Sequence, residues 1–253
     1  MRLIHQRNQK QALKCFNRAA KQYDIYSTVQ KQVANDVLNY TQDFGFPKNT
    51  PIADFCCGTG YLLKQLPFEK IFGIEAAPNL LKEAKKQIPN LTTLYSDLKE
   101  IKDPLHLIIS NLSLHWFEDI PKLLKTLLNT LKEPGHLIFS VAYPTSFKQF
   151  KEALNANCIN TFSLPIDTFL MPNQWERVLK KTGKIIYNSN KTYSISFPDS
   201  LAILKHFKYT GTNTSPQYLS RGYLKKLDTF YKKLDQNPIL TYDIGIWHLI
   251  KQT

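Results

Sequence analysis

Short apolar segments alternate with amphipathic segments through the middle of the chain. The apolar segments have the length of buried strands and cover residues 52–56, 71–75, 93–95, 105–110 and 137–142. Between and after them, apolar residues recur at helical spacing over residues 62–66, 79–87, 120–131 and 146–155. This alternation predicts βαβ units, and therefore a doubly wound, mostly parallel α/β sheet with helices on both faces.

The two ends of the chain follow a different pattern. Apolar residues at helical spacing predict two N-terminal helices up to about residue 44, with a break near Tyr23 and Asp24. After residue 144 the pattern predicts helices at 173–181, 201–208 and 217–234, and β-rich segments at 185–197 and 239–250. We therefore expect an N-terminal helical cap (1–44), an α/β core (45–145), a helical lid region with a core strand near 184–197 (146–235) and a final core strand (236–253).

Charge and cysteine content narrow the class of protein. The formal net charge of +13 predicts a positive surface that attracts an anionic partner. No apolar segment has the length of a signal peptide core or a membrane-spanning helix, so we expect a cytoplasmic protein with no membrane partner. Four cysteines without zinc-site spacing predict reduced thiols and no metal site.

Residues 54–60, with the sequence DFCCGTG, follow one predicted strand and precede a helical segment. Glycines in such a turn let backbone N–H groups approach a ligand, although Gly-x-Gly turns also occur in loops that bind nothing. Glu75 ends the next strand, roughly 20 residues past Gly58, where a carboxylate can accept hydrogen bonds from ribose hydroxyls. Alone, such a glutamate would simply face solvent, and the glycine turn upstream favours the ribose role.

Polar groups also follow the third and fourth predicted strands. Asp97 is placed to accept a hydrogen bond from an adenine amino group, or alternatively to cap a helix. Asn111, His115 and Trp116 follow the fourth strand. Because ligands of open α/β sheets bind beyond the carboxyl ends of the strands, these groups are expected to meet in one crevice.

The segments DFCCGTG, GIEAAPNLL, SDLKEI, SNLSLHW and LKEPGHLIFSV together resemble the motifs of class I S-adenosylmethionine-dependent methyltransferases, over residues 52–142. The resemblance implies a Rossmann-like fold and S-adenosyl-L-methionine as cofactor. It places the glycine loop against the methionyl part, Glu75 at the ribose and Asp97 with Leu98 at the adenine. The expected cofactor-binding residues are Tyr23, Asp54, Cys56, Cys57, Gly58, Gly60, Glu75, Ala76, Asp97, Leu98 and Asn111. Cys56 stands where the family usually has glycine, so a slightly crowded loop is expected.

Further segments resemble the malonyl-acyl-carrier-protein O-methyltransferases of biotin biosynthesis. They are AAKQYDIYSTVQKQVANDVL, SNLSLHWFEDIPKLLKTLLNTLKEPGHLIFSV and SLAILKHFKYTGTNT, so this resemblance extends along most of the chain. It implies esterification of a malonyl carboxylate on an acidic acyl carrier protein. A carboxylate is already ionised at neutral pH, so no catalytic acid or base is expected.

Substrate contacts are expected from several residues. Tyr23, His115 and Trp116 are candidates for positioning the acceptor, and Lys205, His206, Lys208 and Tyr209 are candidates for binding it. Arg221, Lys225 and Lys226 are candidates for docking the carrier protein. Each also has an ordinary interpretation, since buried aromatic residues pack in cores and lysines at i,i+3 spacing cover solvated helix faces.

Other functions remain open on the sequence alone. The same fold could methylate another small carboxylic acid, a quinone precursor or RNA, and a non-enzymatic cofactor-binding role is a further alternative. The positive charge is compatible with RNA, but no zinc knuckle, RNP-like aromatic run or appended basic domain is present. We expect a monomer that acts on a carrier-bound acid and does not bind nucleic acid.

Overall fold

A computed structural model describes residues 2–88, 94–95, 97–102, 104–159, 162, 164–212 and 219–251 of the chain. Its strands are β1 (Ile52–Phe55), β2 (Ile71–Ile74), β3 (Leu94–Tyr95), β4 (Leu105–Ser110), β5 (Leu131–Ala142), β6 (Lys184–Ser196) and β7 (Ile239–Ile250). They form one sheet in the order β3-β2-β1-β4-β5-β7-β6. Strands β1 to β5 pair in parallel, and β7 runs antiparallel to both β5 and β6. This confirms the predicted doubly wound, mostly parallel sheet.

Eight of the nine predicted helices are present among the described residues as α-helices, with differences at their ends. They are α1 (Arg2–Tyr26), α2 (Thr28–Phe44), α3 (Pro78–Gln87), α4 (Ile120–Asn129), α5 (Lys148–Ala156), α6 (Pro172–Lys180), α7 (Ser200–Tyr209) and α8 (Arg221–Lys233). The break between the first two helices lies at Ser27 and not at Tyr23 and Asp24. The helix expected at 62–66 is a short 3-10 turn over Leu63–Gln65. Residues 93, 217 and 218 of the predicted elements lie outside the described residues.

Helix α4 illustrates how local sequence sets an element. The side chain of Asp119 accepts a hydrogen bond from the backbone N–H of Lys122, at 2.9 Å, and so caps the first turn. Pro121 stands in that turn, where a missing N–H costs no helical hydrogen bond. The apolar residues Leu124 and Leu128 lie one turn apart and are buried against the sheet.

The central strands are covered on both faces. Leu137 and Phe139 of β5 pack with Leu124 and Trp175 on one face, and Ile138 packs with other apolar residues on the opposite face. This alternation is what a strand buried on both sides requires. Among the described residues, no helix has the length and apolar character needed to cross a membrane.

Helices α7 and α8 lie in the connection between β6 and β7, and they pack with α5 in a separate apolar cluster. Helix α1 contacts both α3 and α7. Gly211, just after α7, has a φ of +74°, and a Cβ there would lie 2.4 Å from the Phe16 ring. Because α5 follows the carboxyl end of β5, these contacts put α1 and α7 near the carboxyl edge of the sheet.

Aromatic side chains and imidazoles connect α2 to the sheet, near the amino ends of its parallel strands. The Tyr40 hydroxyl and His248 Nδ1 are 2.8 Å apart, and His248 Nε2 lies 2.9 Å from His136 Nδ1. Phe44 and Phe46 pack edge-on against the His136 ring. The imidazoles of His136 and His248 therefore belong to one hydrogen-bonded chain that joins β5, β7 and α2.

These histidines make folding stability depend on pH. Burial, with a smaller effect of His136, lowers the pKa of His248 to about 3, and burial with the nearby His106 lowers the pKa of His136. Their contribution is complete above the ordinary value of 6.5 and is lost as the pH falls toward 3. We expect His248→Gln to reduce the slope of unfolding free energy against pH below 6.5 by up to about 1.4 kcal/mol per unit. Urea titrations of both proteins at several pH values measure these slopes, and equal slopes would contradict the assignment.

Candidate active site

The loop after β1 has a backbone that few residue types adopt. Cys56, Gly58 and Gly60 have φ values of +64°, +58° and +83°. A Cβ on Gly60 would lie 2.6 Å from Ile88 Cδ1, the end of a side chain that can rotate, so the positive φ is the main reason that this position favours glycine. Cys56 adopts the left-handed conformation with a side chain, at a cost of about 1–2 kcal/mol. The constraint that the structure shows at Cys56 is the positive φ of its backbone.

Glu75 joins the loops that follow β1 and β2. Its Oε2 accepts a hydrogen bond from the N–H of Gly58 at 2.9 Å, and its Oε1 accepts one from the N–H of Ala77 at 2.7 Å. Burial raises the pKa of Glu75, and the hydrogen bonds from Ala77, Gly58 and Ala76 oppose this rise. A carboxylate has about four lone-pair positions, so Glu75 keeps capacity for a ribose hydroxyl beside these backbone donors.

Helix α1 closes over the loop through Asp24, which the sequence analysis did not identify. Asp24 Oδ1 accepts a hydrogen bond from the Thr59 hydroxyl at 2.7 Å, and Oδ2 accepts one from the Gln87 side chain on α3. Asn17 on the same helix accepts a hydrogen bond from the N–H of Asn79 at 2.8 Å. Helix α1 is therefore fixed to the glycine loop and to α3 at once.

A cleft of about 560 Å³ lies between α1 and the carboxyl ends of β1, β2 and β4. We call it the cofactor cleft, and its volume is in the usual range for small-molecule sites. Glu75, Ala76, Cys56 and Gly58 line it from the sheet side. The remaining lining residues come from α1, from α3 and from the segment after β4: Lys10, Ala12, Leu13, Phe16, Tyr23, Leu80, Asn111, Leu112, Ser113, Trp116, Phe117 and Glu118.

A second space, which we call the loop subsite, lies between the start of α2 and the glycine loop. Asp54, Cys57 and Thr59 line it, with Ser27 and Gln30 from the helical side. Within the described part of the chain, Ser27 Oγ and Gln30 Oε1 are buried without a hydrogen-bond partner. The unsatisfied Ser27 hydroxyl beside the Asp54 carboxyl group fits the charged amino-acid end of the expected cofactor.

Asp54 is buried beside a second acid. Burial, with the charge of Glu75 as a smaller cause, raises the pKa of Asp54 to about 8. In the free protein Asp54 is therefore largely protonated at neutral pH. A cationic ligand group in the loop subsite would favour its ionised form.

The predicted adenine residues have a structural role in this conformation. Asp97 Oδ1 accepts a hydrogen bond from the N–H of Lys99 at 3.0 Å, and the Glu100 side chain accepts one from the N–H of Asp97 at 2.8 Å. This is a capping box on the 3-10 turn Leu98–Glu100, the alternative role that the sequence allowed. Leu98 is buried in the core, and neither Asp97 nor Leu98 lines the cofactor cleft.

An apolar space adjoins the cofactor cleft, and we call it the acceptor cavity. The two share Phe16, Tyr23, Leu112 and Trp116. Its aromatic wall includes Phe169, whose ring centroid lies 4.4 Å from His115 and 5.1 Å from Trp116. The other lining residues are Gln30, Ala142, Phe147, Leu164, Pro165, Ile166, Phe207, Thr210, Thr212 and Tyr242.

His115 and Tyr23 are hydrogen-bond donors in this cavity. His115 Nδ1 accepts a hydrogen bond from the N–H of Ala142 at 3.2 Å, and burial lowers the pKa of His115 to about 3. The ring is therefore neutral with its proton on Nε2. Burial, with the charges of Glu75 and Asp24, raises the pKa of Tyr23, so its hydroxyl keeps its proton. Neither group is suited to act as a base at neutral pH.

The predicted substrate residues on α7 do not line the acceptor cavity. Lys205 and Lys208 are exposed, and Lys208 Nζ lies over the Tyr209 ring, at 5.3 Å. Tyr209 instead packs against Tyr26, and His206 is buried in a hydrogen bond with the Tyr242 hydroxyl. The physical reason is helical spacing: Phe207 and Thr210 face the cavity, so Lys205 and Lys208 occupy other faces.

The remaining predicted residues are placed as follows. Arg221, Lys225 and Lys226 are exposed on α8 and line none of these spaces. Asn111 borders the cofactor cleft and the loop subsite, while its side chain donates to the Gln30 carbonyl at 3.0 Å and accepts from the Ser140 hydroxyl at 2.7 Å.

Sequence analysis missed Asp24, Ser27 and Gln30. These three polar residues are spaced three apart and so lie on one side of the junction between α1 and α2. This spacing is the sequence pattern from which they could have been predicted. Phe169 and Tyr242 carry no comparable local signal. They reach the cavity only through the tertiary fold.

Comparison with known proteins places these features in a family. A family model described as a methyltransferase domain matches residues 28–184. A biotin biosynthesis bifunctional protein of Saccharophagus degradans is 25% identical, over 99% of this chain and 48% of that protein. A malonyl-acyl-carrier-protein O-methyltransferase 1 of Ilyobacter polytropus is 26% identical, over 86% of this chain and 84% of that protein. The chain spans about half the length of several curated relatives that it matches.

Among solved structures, a putative methyltransferase of Bacillus halodurans has a similar fold. The TM-score is 0.59, with coverage of 87% of this chain and 100% of that chain. The sequences are 12% identical, so this likeness concerns the fold alone.

We expect Cys56→Gly to preserve or increase the unfolding free energy, by no more than about 1 kcal/mol, because relief of the positive φ exceeds the entropic cost of glycine only slightly. Cofactor affinity should stay equal or rise. Cys57→Gly is the matched control, since Cys57 is buried without a positive φ and its loss should destabilise the protein. Thermal unfolding and calorimetry measure both effects. A large loss of stability in Cys56→Gly would assign a packing role to the thiol.

We expect Glu75→Ala to weaken S-adenosylmethionine binding by about 1.5–3 kcal/mol, because the charged acceptor for two hydroxyls is lost. Two loop amides also lose their acceptor, so the unfolding free energy should fall by about 1–3 kcal/mol. Glu83→Ala, on α3, removes an acid paired with Lys86 and serves as control. Calorimetric titration with the cofactor at a temperature where all three proteins are folded separates the effects. Unchanged affinity in Glu75→Ala would contradict the ribose assignment.

Proposed function

The chain belongs to the methyltransferase domain family, and on this premise we propose that it transfers a methyl group from S-adenosylmethionine to the free carboxylate of a malonyl group carried by an acyl carrier protein. The observation that carries this proposal is the acceptor cavity, which adjoins the cofactor cleft and has an apolar, aromatic lining. Relatives named for this reaction match most of the chain, which supports the choice of acceptor.

The reaction requires positioning and no proton transfer. When bound, S-adenosylmethionine supplies the methyl group on a sulfonium, and this sulfur leaves as a neutral thioether. A lone pair of the carboxylate forms the new O–C bond as the S–C bond breaks, so atoms and charges balance without a base. Tyr23 lies where the cofactor cleft, the loop subsite and the acceptor cavity meet, so its hydroxyl is placed to orient the acceptor.

The walls of the acceptor cavity contribute by excluding water. Phe16 meets Trp116 edge to face with ring centroids 5.5 Å apart, and Trp116 meets Phe169 in the same manner. A carboxylate that enters this space loses part of its hydration and becomes a stronger nucleophile. Fixed walls also restrict the approach of the oxygen to the line of the breaking S–C bond.

The experiment that tests this function is transfer of a labelled methyl group by the purified protein. Malonyl-acyl carrier protein, free malonate and total RNA are offered separately with labelled S-adenosylmethionine. Label is expected on malonyl-acyl carrier protein, in a form that mild base releases as methanol because the product is an ester. Label on RNA, or on none of the three, would contradict the proposed function.

The carrier protein is proposed to approach the basic face of α8. Arg221, Lys225 and Lys226 are exposed there, and acyl carrier proteins are acidic. Surface charges of this kind act on association and are screened by salt. This placement rests on charge and on the neighbouring lid helix α7, which lines the acceptor cavity.

We expect replacement of Arg221, Lys225 and Lys226 together by glutamate to raise the KM for malonyl-acyl carrier protein at low salt at least severalfold. Turnover of a small malonyl thioester should stay within about twofold, because rim charges steer docking and do not contact the reacting atoms. The matched control replaces Lys125, Arg177 and Lys181, which line a groove elsewhere on the surface, with the same change in charge. Steady-state kinetics at two salt concentrations measure the effect. Equal KM values for both triple variants would exclude α8 as the docking face.

A further inference from the structure

The described lining of the acceptor cavity offers no charged side chain to a carboxylate. Its described lining contains no lysine, arginine, aspartate or glutamate, and residues 213–218, which follow the lining residue Thr212, contain none in their sequence either. A buried carboxylate is ordinarily paired with a cation or held by several hydrogen bonds. In this cavity only hydrogen bonds from neutral groups are available.

Most polar groups of the lining are already engaged. The Thr210 hydroxyl donates to the His206 carbonyl at 2.8 Å, and the Thr212 hydroxyl to the Phe207 carbonyl at 3.3 Å. The Tyr242 hydroxyl is hydrogen-bonded to His206. Four groups of the described lining keep capacity for a ligand: the hydroxyl of Tyr23, Nε2–H of His115, Nε1–H of Trp116 and the carboxamide of Gln30.

Gln30 has the most informative position of the four. Only Tyr23 and Gln30, among the described residues, line both the acceptor cavity and the loop subsite. The backbone carbonyl of Gln30 accepts a hydrogen bond from Asn111 Nδ2, and Asn111 is bonded in turn to Ser140. This fixes the first turn of α2 against β4 and β5. The Gln30 carboxamide oxygen is buried without a partner among the described residues, so no protein contact fixes the orientation of this amide.

We propose that Gln30 is a specificity-determining residue that binds the acceptor's carboxylate, together with Tyr23 and His115, through uncharged donors alone. This inference rests on the proposed function and names how that site recognises its acid. The carboxamide is nearly symmetric in shape, so rotation of its last torsion presents the NH₂ group where the oxygen now lies. One carboxylate oxygen then receives these donors, and the other is left for the methyl group.

The absence of a chain cation in the described lining has a consequence for the reaction. A lysine or arginine would stabilise the acid before transfer and lose that interaction as the ester forms, which opposes catalysis. Uncharged donors leave the positive charge of the bound cofactor as the counter-charge for the acid. Acceptor affinity should therefore depend on the charge of the cofactor at the reacting position.

The first experiment measures binding of malonyl-pantetheine, by calorimetry, to the protein saturated with S-adenosylhomocysteine. Gln30→Met keeps the length of the side chain and removes its donors. We expect it to bind malonyl-pantetheine at least about tenfold more weakly, with the affinity for S-adenosylhomocysteine within twofold of the wild type. Gln32→Met, an exposed glutamine on the same helix, is the matched control and should behave as the wild type.

Other outcomes have definite meanings. A loss of S-adenosylhomocysteine affinity with unchanged malonyl-pantetheine binding would assign Gln30 to the cofactor and overturn the inference. No change in either affinity would do the same. If the wild type binds another short carboxylic acid and not malonyl-pantetheine, and Gln30→Met weakens that binding, the proposed function fails and the inference stands. If the wild type binds no carboxylic acid, both fail.

The second experiment tests the source of the counter-charge. Malonyl-pantetheine and its methyl ester are titrated into wild-type complexes with S-adenosylhomocysteine, which is neutral at sulfur, and with sinefungin, which carries an ammonium near that position. We expect the acid to bind the sinefungin complex at least about tenfold more tightly, and the ester to bind both complexes equally. Equal affinities of the acid for both complexes would assign the counter-charge to a cation of the chain and overturn the uncharged-donor model.

Discussion

The carboxylate of Glu75 is the interaction on which the site depends. One oxygen accepts from the glycine loop after β1 and the other from the loop after β2, so a single side chain sets the distance between two adjacent strand ends. The Gly58 N–H that it fixes belongs to a loop whose backbone has positive φ at Cys56, Gly58 and Gly60. Without this acceptor, the loop would lose the bonds that offset its unfavourable conformation.

The rest of the site is built outward from that loop. Asp24 reaches down from α1 to Thr59, and Asn111 reaches from β4 to the first turn of α2. These contacts hold Tyr23 and Gln30 where the loop subsite meets the acceptor cavity. Tyr23 also borders the cofactor cleft. The acidic and polar groups lie on the cofactor side, and the uncharged lining lies on the acceptor side. This division allows one ligand to be held by many polar contacts while the other is held in a dry space.

The sequence was sufficient to predict the sheet and the residues at its carboxyl edge. Glu75 and Asn111 end or follow a short apolar run, and Asp54 is the last residue but one of β1. Parallel strands bring such positions together whatever the loops do. The sequence was insufficient to predict which face of α7 lines the acceptor cavity. Lys205 and Lys208 were proposed because of their charge, whereas Phe207 and Thr210 of the same segment line the cavity. Which face of α7 meets a cavity depends on its packing with α1 and α5. That packing involves residues distant in the sequence, and no local pattern encodes it.

The thiol of Cys56 allows ligand binding in the cofactor cleft to be measured by chemical labelling. Cys56 borders both the cofactor cleft and the loop subsite, and burial followed by the charge of Glu75 raises its pKa well above the ordinary value. Alkylating reagents attack the thiolate, so this cysteine reacts slowly even when the cleft is open, whereas the exposed Cys158 provides an internal reference for reagent activity. A ligand that fills the cleft covers the sulfur. The ratio of the two modification rates is therefore an intrinsic occupancy signal, read by mass spectrometry without a fluorophore or an engineered residue.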